Sequence, residues 1–180
     1  MKKLGLYSVL VAALLFATGC SEKNADMNVD NGAMQPEVAN TIPDTNIADG
    51  SFSALEKTAD GAYFMINGQK VFIANIYFGF DKYDVTGENK ENAMSNASKL
   101  SALNSDTTVK VSGNTDEWGT DEYNYALGLK RANSVKDALV ANGVNANIAL
   151  VSLGESSPVC TEKTKACWAK NRRVEHDLSK

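Results

Sequence analysis

The sequence predicts an α/β domain in which helices pack against a small sheet, carried behind an exported leader. Three observations predict it. Stretches of period two alternate with stretches of helical period along the C-terminal part of the chain. The long helix in its middle carries an apolar stripe of core-facing width. The segment before them lacks any sustained period and is rich in Asn, Asp, Ala, Thr and Gly. At 180 residues there is room for one domain plus extensions.

The chain opens with Lys2 and Lys3, then an apolar run over 4–17, then Thr18, Gly19 and Cys20. That is the layout of a bacterial secretory signal, and the run is too short for a comfortable membrane span. Small residues directly before a cysteine resemble a lipobox, in which Cys20 is acylated and becomes the first mature residue. Ordinary cleavage leaving Cys20 as a free thiol is the alternative. Residues 1–19 are thus expected to be a lipoprotein signal peptide, 20–62 a lipid anchor and disordered tether, and 63–180 the folded domain. A tether of about 40 residues reaches at most ~130 to 140 Å when extended, with a coil span nearer ~35 Å. A short helix around 52–57 is its one local exception.

Order is expected from Tyr63. Asn67-Gly68 between two apolar runs is a strong hairpin signal, and residues 71–80 alternate as one strand, with Phe72, Ala74, Ile76, Phe78 and Phe80 on one side. Residues 88–103 read as a helix, with Ala93, Ala97 and Leu100 on one face and Thr86 as its cap. Residues 107–112 are a short β-branched strand. A helix over 121–142 stops at Gly143, a strand follows over 148–153, then a polar loop, then a closing strand over 172–178.

The stretch 113–139 carries the chemistry. At about 100° per residue, Asn124, Leu127, Gly128, Arg131, Ala132, Val135, Ala138 and Leu139 share one helical arc, with Arg131 near its middle. An unpaired guanidinium there would cost several kcal/mol, so Arg131 needs acceptors. One reading is a structural ion pair with a neighbouring carboxylate. The other is a ligand clamp: Arg131 would grip a carboxylate through two parallel hydrogen bonds, while Asp116, in the turn before the helix, would accept from an ammonium.

Four blocks resemble the OmpA C-terminal-like family of peptidoglycan-binding domains, in its lipoprotein branch: YFGFDKY at 77–83, GNTDEWG at 113–119, YNYALGLKRANSVKDAL at 123–139 and AKNRRV at 169–174. The resemblance implies a βαβαβ sandwich with a mixed parallel and antiparallel sheet against two main helices. It implies non-enzymatic, non-covalent binding of the diamino acid of peptidoglycan stem peptides. Asp116 and Arg131 would take its zwitterionic end, Asn124 and Leu127 would complete the helix side of the pocket, and Phe80 and Asp81 would form the opposite wall. It also implies an outer-membrane lipid anchor facing the periplasm and a partner in the Tol machinery such as TolB. Asn114 stands where most of the family has His, and Trp118 where many of the branch have Arg.

Other functional classes fit less well. A net charge of -4 disfavours a nucleic-acid backbone as partner. Adjacent Asp116 and Glu117 cannot readily flank a glycosidic bond, and no nucleophile elbow or zinc motif is present. A wall-processing enzyme, or an accessory subunit of one, remains the alternative class. No cofactor is implied. In an exported chain, Cys160 and Cys167 suggest a disulfide, whose short loop is worth roughly 2.5 kcal/mol in the chain-entropy model; a metal site is the alternative. His176, the single histidine, reads as an ordinary surface residue of the last strand. Arg172 and Arg173 should alternate faces there, one of them a candidate to support the pocket. Trp118 reads either as a partner-facing anchor or as packing.

Overall fold

The computed structural model describes residues 54–179. Cys20 and the expected signal and most of the expected tether lie outside them. The first strand, β1 (Glu56–Thr58), lies upstream of Tyr63, where order was expected to begin, and occupies part of the expected short helix. It pairs antiparallel with β2 (Gly61–Ile66), which pairs antiparallel with β3 (Gln69–Ala74). The hairpin turn is at Asn67-Gly68, with φ of 50° and 79°, the left-handed pair that a two-residue loop with native twist requires. Tyr63 and Phe72 stand opposite each other with ring centroids 5.0 Å apart, a cross-strand pair of the kind that fixes register.

The expected continuous strand over 71–80 breaks at Asn75, and the cause is a buried side chain. Asn96, fully buried on helix α1 (Glu88–Leu100), accepts from Ala74 N at 3.0 Å and donates to Ala74 O at 2.8 Å. Ala74 therefore takes both backbone bonds from a side chain, and the chain leaves the first sheet. The two-residue strand β4 (Ile76–Tyr77) starts the second one. Ile73, Asn75, Ile76 and Phe78 are buried, so the alternation changes face at the break. Helix α1 starts behind Gly87 at φ 56°, with no side-chain cap, rather than behind Thr86.

The second sheet has the order β4-β7-β5-β6. Strand β5 (Thr108–Asn114) runs through helix α2 (Asp121–Ala141) to β6 (Asn147–Gly154), which lies parallel beside β5. A parallel pair needs such a crossover. Strand β7 (Arg173–Ser179) inserts antiparallel between β4 and β5, giving the mixed sheet that the resemblance implied. Helix α2 lies unusually close to β5: a Cβ on Gly113 would come within 1.9 Å of the carbonyl oxygen of Gly128, so that crossing admits no side chain. The core joins both sheets and both long helices, with Phe64, Ile73, Ile76, Leu100, Val109, Val111, Val135, Leu139 and Val174 at its centre.

Two sequence expectations fail near the C-terminus. The expected polar loop contains a third helix, α3 (Lys165–Asn171), capped by Thr164, whose hydroxyl accepts from Cys167 N at 3.2 Å. Seven residues carry too few turns for a periodic signal. His176 is buried, at 3% exposure, and is not a surface residue. Strand β7 is interior to its sheet and also packs against α2, β2 and β3. His176 shares a face with Val174 and Leu178, both buried. The opposite face carries Arg173, held by Glu175 at 2.7 Å, and Asp177, held by Lys57 and Lys110 at 2.9 and 3.2 Å.

Candidate functional site

The site forms where the turn after β5 meets the loop after β4 and the start of α2. Strand β5 ends with a register shift between Gly113 and Asn114. Beyond it Thr115 N donates to Gly154 O at 2.8 Å, which fixes the turn against the end of β6. Asn114 is fully buried and donates through Nδ2 to Ser112 O and Arg173 O at 3.2 and 3.4 Å. Asn114 is thus a structural tie, in the position where the family pattern carries His.

Asp116 comes next and is 4% exposed. Its carboxylate pairs with Arg172 at 2.9 Å. Arg172 also donates through Nε to Phe78 O at 3.0 Å, while Phe78 N donates to Arg172 O at 2.9 Å. Of the two arginines left open by the sequence, Arg172 faces this site. Its neighbour Arg173 points away, to Glu175, Asn171 O and Ser157 O.

Arg131 lies 1% exposed on α2. Its partners are three backbone carbonyls rather than a carboxylate: Lys82 O at 2.8 Å, Asn114 O at 2.8 Å and Gly79 O at 3.3 Å. The guanidinium also lies 5.4 Å from the centroid of the Phe78 ring, within cation–π range. One side chain therefore ties the 79–82 loop to the 113–119 turn. Burial lowers the Arg131 pKa to about 10, the field of Asp116 opposing the shift and that of Arg172 adding to it. It stays charged at neutral pH.

That loop carries Phe80, 63% exposed, and Asp81, which adopts a left-handed φ of 55°, a conformation Asp tolerates better than most residues. Asp81 accepts a hydrogen bond from the Tyr123 hydroxyl, which raises the pKa of the phenol. Helix α2 is started by Thr120, whose hydroxyl accepts from Tyr123 N at 3.2 Å. Asn124 and Leu127 lie one and two turns in, both buried. Asn124 donates to Glu155 through Nδ2, and its Oδ1 has no partner among the described residues.

The structure thus gathers Asp116, Arg131, Phe80 and Asp81 around one corner of the domain, with Asn124 and Leu127 on the helix beside it. Sequence reasoning did not anticipate the roles of Glu155 or Tyr123. Tyr123 stands in a quoted block and gave a signal only as one of several aromatics; Glu155 gave none.

A family model described as the OmpA family matches residues 77–172. The chain belongs to the OmpA family. It is 39% identical over 176 residues to a protein named peptidoglycan-associated lipoprotein from Pseudomonas putida, covering 97% of each chain. A protein of the same name from Pseudomonas aeruginosa is 36% identical, again with 97% of each covered. The crystal structure of the peptidoglycan-associated lipoprotein from Burkholderia pseudomallei superposes with a TM-score of 0.54 at 39% identity, over 58% of this chain and 89% of that one. The family and the α/β architecture read from the four motif blocks are those of these relatives. Cys160 and Cys167 form the expected disulfide, with Cα atoms 5.3 Å apart.

Proposed function

We propose that this chain is a non-enzymatic outer-membrane lipoprotein, facing the periplasm, that ties the membrane to the cell wall. Its folded domain, beginning by β1, grips the diamino acid of peptidoglycan stem peptides without covalent bonding. The anchor is acylated Cys20, and the preceding residues 1–19 are its signal. The relatives' shared name supports the class of partner. One observation carries the site: a nearly buried carboxylate, Asp116, is paired to Arg172 at 2.9 Å while a second guanidinium, Arg131, is held beside it. A zwitterion can exchange into that arrangement. Its ammonium takes the place of Arg172 on Asp116, and its carboxylate takes the freed Arg172 together with Arg131.

Phe80 and Asp81 form the outer wall in this reading, and Asn124 and Leu127 the helix side. The motif resemblance supports a Tol partner such as TolB at the same face. The test is co-sedimentation of the soluble domain with purified sacculi. The parent should pellet and release no soluble muropeptide. Asp116→Asn should bind roughly thirtyfold or more weakly, the scale of losing one partner of a buried hydrogen-bonded charge pair. Release of fragments by the parent would make the chain an enzyme, and undiminished pelleting of a folded Asp116→Asn would remove the clamp.

A further inference from the structure

The turn that carries Asp116 has a second side. Thr115 and Glu117, which flank Asp116, line a cavity of about 200 Å³ together with Glu155, Glu162, Trp168 and the disulfide residue Cys160. Its described lining holds three carboxylates and no basic side chain. The Thr115 hydroxyl is buried with no hydrogen-bond partner among the described residues. Trp168 is fixed by donating from Nε1 to Glu117 at 3.0 Å. It meets Trp118 edge to face, with ring centroids 5.3 Å apart and planes at 79°. Trp118 is left 53% exposed. Trp168 is thus held in the cavity lining, and Trp118 stands against it with its own ring largely exposed.

We propose that this cavity and Trp118 form a saccharide subsite. It takes one N-acetylated hexopyranose of the glycan that bears the stem peptide, and so rests on the peptidoglycan reading above. Charge excludes an anionic occupant. An anion would meet three carboxylates with no counter-charge, whereas a neutral sugar offers hydroxyl donors to carboxylate acceptors and an apolar C–H face to the indole. Size agrees: small-molecule pockets commonly run to ~300–1,000 Å³, so 200 Å³ suits one ring rather than an extended chain. Reach agrees too. Two stem residues separate the diamino acid from the sugar's lactyl group, a span on the order of 10 Å when extended. That span is enough for a ligand clamped at Asp116 to reach the side of the turn lined by Thr115 and Glu117.

The test compares two soluble ligands, the disaccharide–tripeptide ending in the diamino acid and the same tripeptide without sugar, with a lysine-extended sugar-free peptide as control, by titration with tryptophan emission as a second readout. Trp118 and Trp168 are the only tryptophans in the chain. The parent should prefer the glycosylated ligand by roughly fivefold, as for a modest aromatic anchor, and only that ligand should shift the emission. Trp118→Ala should bring the ratio of the two affinities to about one, and Trp118→Phe should keep most of the preference. Because the readout is a ratio, a general loss of folded protein cancels. Equal parental affinities would overturn the subsite while leaving the clamp intact. A preference that survives Trp118→Ala would overturn it, because the sugar would then be recognised away from this indole. A parental preference for a sugar-free peptide with an added lysine would overturn it in favour of a cationic occupant. Binding of neither ligand would overturn both the subsite and the reading beneath it.

Discussion

Replacing Arg131 with Lys separates two jobs that the sequence could not tell apart. The native guanidinium donates to three carbonyls that come from two different loops. A lysine ammonium is a point donor on a flexible stem and cannot span that fork, so about two of the three charge-assisted bonds are lost. Each is worth ~1.5–3 kcal/mol, and the orphaned carbonyls add part of their desolvation cost. Some of this returns as water enters the corner, and a net loss of about 3 kcal/mol is expected. Against a typical total of ~5–15 kcal/mol the variant stays folded. Urea unfolding of the ligand-free domain, compared at equal slope, measures it. A loss below about 1 kcal/mol would refute the argument that Arg131 holds the 79–82 loop to the 113–119 turn. If stability were untouched while sacculus binding collapsed, Arg131 would be a ligand group and nothing more.

Two further expectations concern groups far from that corner. His176 is buried among apolar residues, and burial lowers its pKa to about 4 from 6.5, only partly opposed by Asp177. The unfolded chain therefore binds the proton more readily, so the contribution is fully present above pH ~6.5 and is lost as pH falls towards ~4. Stability should drop by roughly 2 kcal/mol between pH 7.5 and 5, and a folded His176→Phe should flatten that slope in urea titrations; an unchanged slope would refute the assignment. For Cys160–Cys167, a Cys160→Ser, Cys167→Ser double variant should lose roughly 2.5 kcal/mol through loop-closure entropy while keeping sacculus binding. Two freely alkylated thiols in natively exported protein would refute the pairing.

How much of the fold was legible depended on whether a residue acts through its neighbours in sequence or across space. Asn67-Gly68 encodes its own turn, and the stripe of α2 encodes its own buried face, so both were readable. The break at Asn75 was not, because it is made by Asn96 from another helix, and an asparagine among Ala93, Ala97 and Leu100 looks like a lapse in the stripe. His176 was misread for a related reason. Alternation places it beside Val174 and Leu178, but only the three-dimensional order β4-β7-β5-β6 makes β7 an interior strand. The short helix α3 owes its position to a cap and a cross-link rather than to a period.

The charges at the site were legible as types, though their pairing was not. Helical position showed that Arg131 must be buried and must find acceptors, yet nothing in the spacing distinguishes carboxylates from the carbonyls it uses. The sequence also left Arg172 and Arg173 equivalent on one strand, whereas Arg172 caps α3 and turns to Asp116 while Arg173 opens β7. The resulting arrangement bears on how a clamp can be both stable and usable. If Asp116 stood unpaired at 4% exposure, its desolvation would weigh on the free protein; paired with Arg172, it does not. On the proposed reading, an arriving zwitterion replaces one ion pair with two of the same kind, so no buried charge is stranded during the exchange. Arg131, fixed by carbonyls, supplies positive potential without having to move. On the proposed reading, selectivity follows from that constraint. A ligand with only a carboxylate could take Arg172 but would leave Asp116 buried and unpaired, a loss of several kcal/mol, and a ligand with only an ammonium would strand Arg172 in the same way.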